Sequence, residues 1–151
     1  MRRTLGLDWG EKRIGVAVSD PLGLTSAGVG VVHRKKDGSE FAEIAKIAAE
    51  KDVERVIVGV PWSDDGSENA STRKALAFAE EIRTRLGIPV ETWDESYTSD
   101  EANRILKARG VSWQDSKAQV DRVAAAVMLQ SWLDSRPRTP SNDEAEDEAD
   151  R

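Results

Sequence analysis

The chain of 151 residues predicts a single α/β domain built on a mixed five-stranded sheet. Three observations carry this. Three strand patterns follow one another through short turns, which requires antiparallel neighbours, and further strand patterns then alternate with helical ones, which requires parallel crossovers covered by helices. The third observation is the run RVIVGVP at residues 55 to 61, apolar throughout and ended by proline, as in a strand buried on both faces.

The elements follow in order. Residues 4 to 8, 13 to 19 and 27 to 34 read as strands, the first two joined by a turn around Gly10. Ser39 to Asp52 predicts an amphipathic helix, with Phe41, Ile44, Ala45, Ala48 and Ala49 at helical spacing. After the buried strand at 55 to 61, the polar loop WSDDGSENAS leads into a helix from about Thr72 to Leu86. Its expected buried stripe is Leu76, Ala79, Ile82 and Leu86, and Gly87 and Pro89 end it. PVETWDE, residues 89 to 95, is the fifth strand. Thr98 to Glu101 has the pattern of a capping box for a short helix stopping near Gly110, and Ser116 to Gln119 has it again for a helix running to about Ser135. In that last helix VAAAVML, residues 123 to 129, is apolar on every side and reads as deeply packed. The domain is expected to span residues 1 to 135, with 136 to 151 an acidic, disordered tail.

Composition narrows the setting. There is no cysteine, so disulfides and zinc-thiolate sites are excluded. The start, MRRTLGLDWG, lacks the apolar run of a signal peptide, and no stretch approaches the ~20 apolar residues of a membrane span. A cytoplasmic protein with no membrane partner is expected. The formal charge of −6 is uneven: residues 140 to 151 carry six acids and one arginine, a net of −5, which leaves −1 for the other 139 residues. A nearly neutral body with basic clusters at Lys12 and Arg13, Arg34 to Lys36, Arg73 and Lys74, and Arg104 to Arg109 is compatible with a polyanionic partner.

The chemistry concentrates in carboxylates. Asp8 interrupts the first apolar strand pattern, and a lone buried carboxylate costs several kcal/mol unless compensated. Asp8 ends the first strand, Asp94 and Glu95 end the fifth, and Asp121 lies about one turn inside the last helix, at the border of the row Ala124, Ala125, Met128. Parallel strands present their carboxyl ends as the site edge. Three carboxylates gathered there repel one another, and a divalent cation relieves the repulsion. Oxygen ligands without His or Cys favour Mg²⁺ or Mn²⁺ over zinc. Each acid also has a plain structural reading: Asp8 as a turn former ahead of Gly10, Asp94 and Glu95 as the lead into a capped helix, Asp121 as the partner of an arginine such as Arg122. His33 reads as a strand-edge surface residue. The five tryptophans read as packing, with Trp9 and Trp62 placed where they could also stack on bases.

Four blocks, GLDWGEKRIGVAVSD, VIVGVPWSDDGSENA, WDESYTSDEAN and VDRVAAAVMLQSWL, resemble in order the YqgF family, also called RuvX, of Holliday junction resolvases and pre-16S rRNA nucleases. The resemblance runs from about residue 4 to residue 134. It implies a ribonuclease H-like fold with sheet order 3-2-1-4-5 and a metal-dependent nuclease site. It also implies that Asp8, Glu95 and Asp121 are the catalytic and metal-holding acids, corresponding to the family's first-strand aspartate, its Asp-Glu pair and its last-helix aspartate. Its Lys-Arg-Ile-Gly falls on Lys12 to Gly15 and its Gly-x-Pro on Gly59 to Pro61. Ser96 and Tyr97 stand where the family has Arg and Leu, so no charged fork is available to a phosphate there.

In that sheet order the fifth strand lies two positions from the first, about 9–10 Å away. Glu95 can bridge part of that gap, and Asp64 and Asp65, in the loop after the fourth strand, are reserve ligands. The expected activity is Mg²⁺- or Mn²⁺-dependent cleavage of structured nucleic acid, with precursor 16S rRNA favoured as substrate. Lys12 and Arg13 would steady phosphates near the cut, and the loop 62 to 71 with Arg73 and Lys74 would bind the strand farther out. The alternatives are resolution of four-way DNA junctions, which demands a homodimer where the first activity allows a monomer, and RNA binding without catalysis in ribosome assembly.

Overall fold

A computed structural model describes residues 3–95, 104–105 and 117–136. Its strands are β1 (Arg3–Asp8), β2 (Arg13–Ser19), β3 (Ser26–His33), β4 (Val53–Val60) and β5 (Val90–Asp94), and its helices are α1 (Ser39–Glu50), α2 (Ala70–Leu86) and α3 (Lys117–Ser135). The sheet order is β3-β2-β1-β4-β5. β1 and β2 pair antiparallel, as do β2 and β3, whereas β4 runs parallel to both β1 and β5. Element boundaries agree with the sequence reading to within two residues. The capping boxes at Thr98 and Ser116, and most of the helix expected to stop near Gly110, fall outside the described residues; Arg104 and Ile105 are helical.

The two faces of the sheet are covered differently. Leu5, Leu7, Ile14, Val16, Val56, Val58 and Val60 face α1 and α2, packing on Ile44, Ala48, Ala75, Phe78, Ala79 and Ile82. Ala17 and Ile57 face the other way and pack with Ala125, Met128, Leu129, Trp132 and Leu133 of α3. Because side chains alternate along a strand, Leu5 and Leu7 going to the first face sends Gly6 and Asp8 to the α3 face. Asp8 is thereby aimed at the helix that carries Asp121.

Two expectations about helix faces are corrected. On α2 the buried residues are Thr72, Ala75, Phe78, Ala79 and Ile82, while Leu76 and Leu86 are only half-buried. The helix starts earlier than Thr72, since Asn69 is its N-cap: the Asn69 side chain accepts from the Thr72 amide at 2.9 Å while the Thr72 hydroxyl accepts from the Asn69 amide at 3.1 Å. The inward stripe is set by packing against the sheet core, where Ala75, Phe78, Ala79 and Ile82 are buried and Leu76 and Leu86 lie at its margin. On α3, Ala124, Ala125, Met128 and Leu129 are buried, but Val123, Ala126 and Val127 are half-exposed. They line a groove of about 440 Å³ with Ser26, Ala27 and Gly28 of β3. Among the described residues, this apolar segment packs chiefly on its sheet-facing side.

A carboxylate pair bracketed by glycines

Asp8 is the last residue of β1, and its neighbours in the sheet are Gly15 on β2 and Gly59 on β4. Both glycines clear space for something that must approach Asp8. A Cβ on Gly15 would lie 2.1 Å from the backbone oxygen of Asp121, so the missing side chain is what lets α3 come down beside Asp8. A Cβ on Gly59 would lie 2.6 Å from Glu95 Oε1 and 3.3 Å from Glu95 Cβ. The Glu95 side chain thus crosses β4 over a bare backbone, which closes the two-strand gap between β5 and β1. The residue itself is held at the strand end by its amide, which donates to Val60 O at 3.2 Å.

The two carboxyl groups lie close enough to share a hydrogen bond, which would place a proton between them. Burial pushes Glu95 far above the usual carboxylate range; the bond to Asp8 and the negative charges of Asp8 and Asp94 push it the same way. Burial also raises Asp8, to about 6, against the lowering effect of its bond with Glu95, and the charge of Asp121 adds to the rise. Both carboxyls are raised, Glu95 the more, and that direction favours the proton on Glu95 with Asp8 accepting from it. The other oxygen, Glu95 Oε1, is buried and has no hydrogen-bond partner. Leaving such an atom unmatched costs about 1–3 kcal/mol.

Asp121 is close enough to act electrostatically on Asp8, while its carboxylate is engaged by an arginine. Arg13 donates through Nε to Asp121 Oδ2 at 2.6 Å. Arg122, the partner suggested by adjacency, instead lies over Gly28 of β3. Among the described residues no group of three acidic or histidine side chains is gathered tightly enough to hold a metal ion. The structure thus brings Asp8 and Glu95 together and leaves Asp121 one contact away. The donor chemistry nonetheless fits a hard cation: the oxygens of Asp8 and Glu95 are adjacent, and one is unsatisfied.

The remaining sequence-predicted residues lie around this edge. Lys12 is exposed in the β1–β2 turn and Arg73 is exposed in the first turn of α2. Lys74 is paired with Glu11 at 3.0 Å, bridging the turn to α2. Asp64 and Asp65 are exposed. Asp65 shapes its own loop, accepting from the Ser67 amide at 2.9 Å and hydroxyl at 2.6 Å, which holds its carboxyl below the usual range. Trp9 turns to the α1–α2 face, where it is 6% exposed beneath the guanidinium of Arg34, so it offers no free ring to a base. Trp62 is half-buried against the same core. His33 is exposed at the end of the edge strand, as expected.

Sequence reasoning missed the Arg13–Asp121 pair. Only part of its signal lay in the sequence: Arg13 is two residues from Gly15 and so shares its face, but that α3 approaches at Gly15 is decided by the fold.

Comparison with known proteins adds an independent line. A family model described as RuvX, Holliday junction resolvase, matches residues 2–135. A protein of Anaeromyxobacter dehalogenans named "Putative pre-16S rRNA nuclease" is 47% identical over 134 residues, covering 89% of this chain and 98% of the relative. One of the same name from Thermosynechococcus vestitus is 43% identical over 139 residues, covering 92% of each chain. Among solved structures, RuvC of T. thermophilus in complex with a Holliday junction substrate matches with a TM-score of 0.54 at 17% identity, over 89% of this chain and 98% of that one. The Fowlpox virus resolvase bound to Holliday junction DNA matches with a TM-score of 0.53 at 11% identity, over 88% of this chain and 97% of that one. At these identities the structures speak for the fold, which is that of ribonuclease H-like resolvases.

Proposed function

The chain belongs to the RuvX family, and from that premise we propose that it is a metal-dependent endonuclease that cleaves structured nucleic acid, with precursor 16S rRNA as its substrate. It is a phosphodiester-cleaving hydrolase, as its relatives are named nucleases. The observation that carries the reading is the Asp8–Glu95 pair, two half-buried carboxyl groups set against each other over Gly59 with one buried oxygen unsatisfied. A pair of this kind costs stability unless something positive joins it.

Asp8 and Glu95 would hold a divalent cation, Mg²⁺ or Mn²⁺, with Asp121 as the third ligand. When bound, such an ion supplies activation of water and stabilisation of charge on the phosphate. The chain's own residues do the rest. Glu95 would give up its proton on holding the ion, so that both carboxylates would be charged. Lys12 and Arg73, exposed on the same edge, bind phosphates on either side of the cut, and Lys74 and the loop 62–71 extend that contact. In the cleavage, water oxygen bonds to phosphorus as one ribose oxygen leaves and takes up a proton. No helix among the described residues is long and apolar enough to cross a membrane, and the reading places the protein in the cytoplasm.

The test is incubation of the protein with precursor 16S rRNA and with four-way junction DNA, each with Mg²⁺, Mn²⁺ or chelator, beside Asp8→Asn. Metal-dependent RNA cleavage lost in the variant is expected; equal cleavage by the variant refutes the site. The likeness to junction-bound RuvC favours a second reading, resolution of DNA junctions. That activity needs two sites acting together, so a protein that stays monomeric by light scattering in the presence of a junction rules it out.

A further inference from the structure

We propose that Arg13 is a guard on the metal site: it holds Asp121 out of the ligand set in the free protein and releases it when a substrate phosphate takes its guanidinium, so that nucleic acid and metal bind cooperatively. The inference rests on the reading of Asp8, Glu95 and Asp121 as metal ligands and concerns how that set is completed.

Three observations carry it. First, the contact is direct and close, Arg13 Nε to Asp121 Oδ2 at 2.6 Å, and it joins residues 108 apart in the chain. It is therefore a product of how α3 docks on β2 rather than of local sequence. Second, the pair sits beside the other two acids. The Asp121 backbone rests over Gly15, the sheet neighbour of Asp8, and the Asp121 charge is felt at Asp8. A carboxylate so placed has its charge within range of Asp8, and its bond to Arg13 opposes any turn towards it. Third, the guard is within reach of substrate. The side chains of Arg13 and Asp121 are 27% and 28% exposed, which shields their bond from full screening while leaving the guanidinium open to an incoming phosphate. Guanidinium takes phosphate in a two-pronged grip, stronger than a single-nitrogen bond to carboxylate.

The consequence is reciprocal. If phosphate frees Asp121 for the metal, the metal, by engaging Asp121, frees Arg13 for phosphate, and each tightens the other by the same factor. A free protein would then bind metal weakly and avoid unproductive occupancy. Arg13 acts here as a positioning residue, through Asp121.

The experiment is Mn²⁺ titration followed by the electron paramagnetic resonance of the free ion, on wild type, Arg13→Gln, Arg13→Lys and Asp8→Asn, with and without an RNA hairpin of phosphorothioate backbone. Circular dichroism establishes that each variant is folded, and Arg13→Lys keeps the charge should Arg13→Gln fail that check. Wild type is expected to bind Mn²⁺ about tenfold more tightly with the hairpin than without it, a typical coupling. Arg13→Gln is expected to bind Mn²⁺ about tenfold more tightly than wild type in the absence of RNA, and to gain little when RNA is added. Arg13→Lys should fall between. Mn²⁺ affinity no higher in either Arg13 variant than in wild type, with binding still lost in Asp8→Asn, overturns the guard and leaves the metal site standing. Absence of Mn²⁺ binding in all variants, or binding unchanged by Asp8→Asn, overturns both.

Discussion

Glu95 reaches Asp8 across Gly59: the carboxyl group from the end of β5 lies directly over the α-carbon of the strand between them, where any side chain would stand 2.6 Å from Oε1. Gly59→Ala is thus expected to displace Glu95 while the sheet persists. Overpacking of this kind costs about 1–3 kcal/mol, and Met128 Cγ, 3.1 Å from the same point, adds to it. The measurement is a thermal melt with Mn²⁺ titration: the variant should melt lower and bind Mn²⁺ more weakly than wild type.

Glu95 keeps its proton well above the ordinary 4.5 of a glutamate in the folded protein. Above pH 4.5 the native state therefore binds more protons than the unfolded chain, and stability falls as pH rises towards the folded value. Glu95→Gln removes that dependence. In chelator the variant should melt above wild type at pH 8, and the difference should shrink towards pH 5. Melting curves across this range decide it. A variant less stable than wild type at pH 8 would show that the carboxyl is ionised and compensated without metal.

Filling the site must expel that proton. Mn²⁺ affinity should accordingly rise between pH 6 and pH 8, by up to about tenfold per pH unit for one displaced proton. Calorimetry in buffers of different ionisation enthalpy counts the protons released; a count near zero contradicts the shared proton between Asp8 and Glu95.

Lys12 and Arg73 are expected to contact phosphates and not bases. Replacing either by Ala should weaken RNA binding for all sequences alike and lower the slope of log K against log salt by about one. A sequence-dependent loss would reassign the residue to base recognition.

Asn69 and Thr72 cap α2 reciprocally, and the Thr72 hydroxyl also donates to the Pro61 carbonyl, tying the helix start to the end of β4. Asn69→Ala should cost about 1 kcal/mol, and Thr72→Val more, because it leaves a carbonyl unpaired beside a buried residue. The double variant should lose less than the sum, since the two share their bonds. Urea unfolding measures all three.

Much of this was legible in the chain. The short turn around Gly10, the apolar run at 55–61 and the Gly87–Pro89 stop determined the elements and, with the rule that short turns give antiparallel pairs, most of the sheet. Asp8 and Glu95 stood out because carboxylates at strand ends are anomalous against an apolar pattern. Such signals are local: turn chemistry and periodicity act within a few residues. The tertiary structure decided what adjacency in sequence misleads about. Arg122 is next to Asp121, yet Arg13 holds it; Leu76 and Leu86 have helical spacing, yet packing against the sheet buries Ala75 and Phe78 more deeply. Above all, whether Glu95 could span two strands depended on a glycine in the strand between, and its protonation depended on burial. Both arise only when distant segments share one volume from which water is excluded.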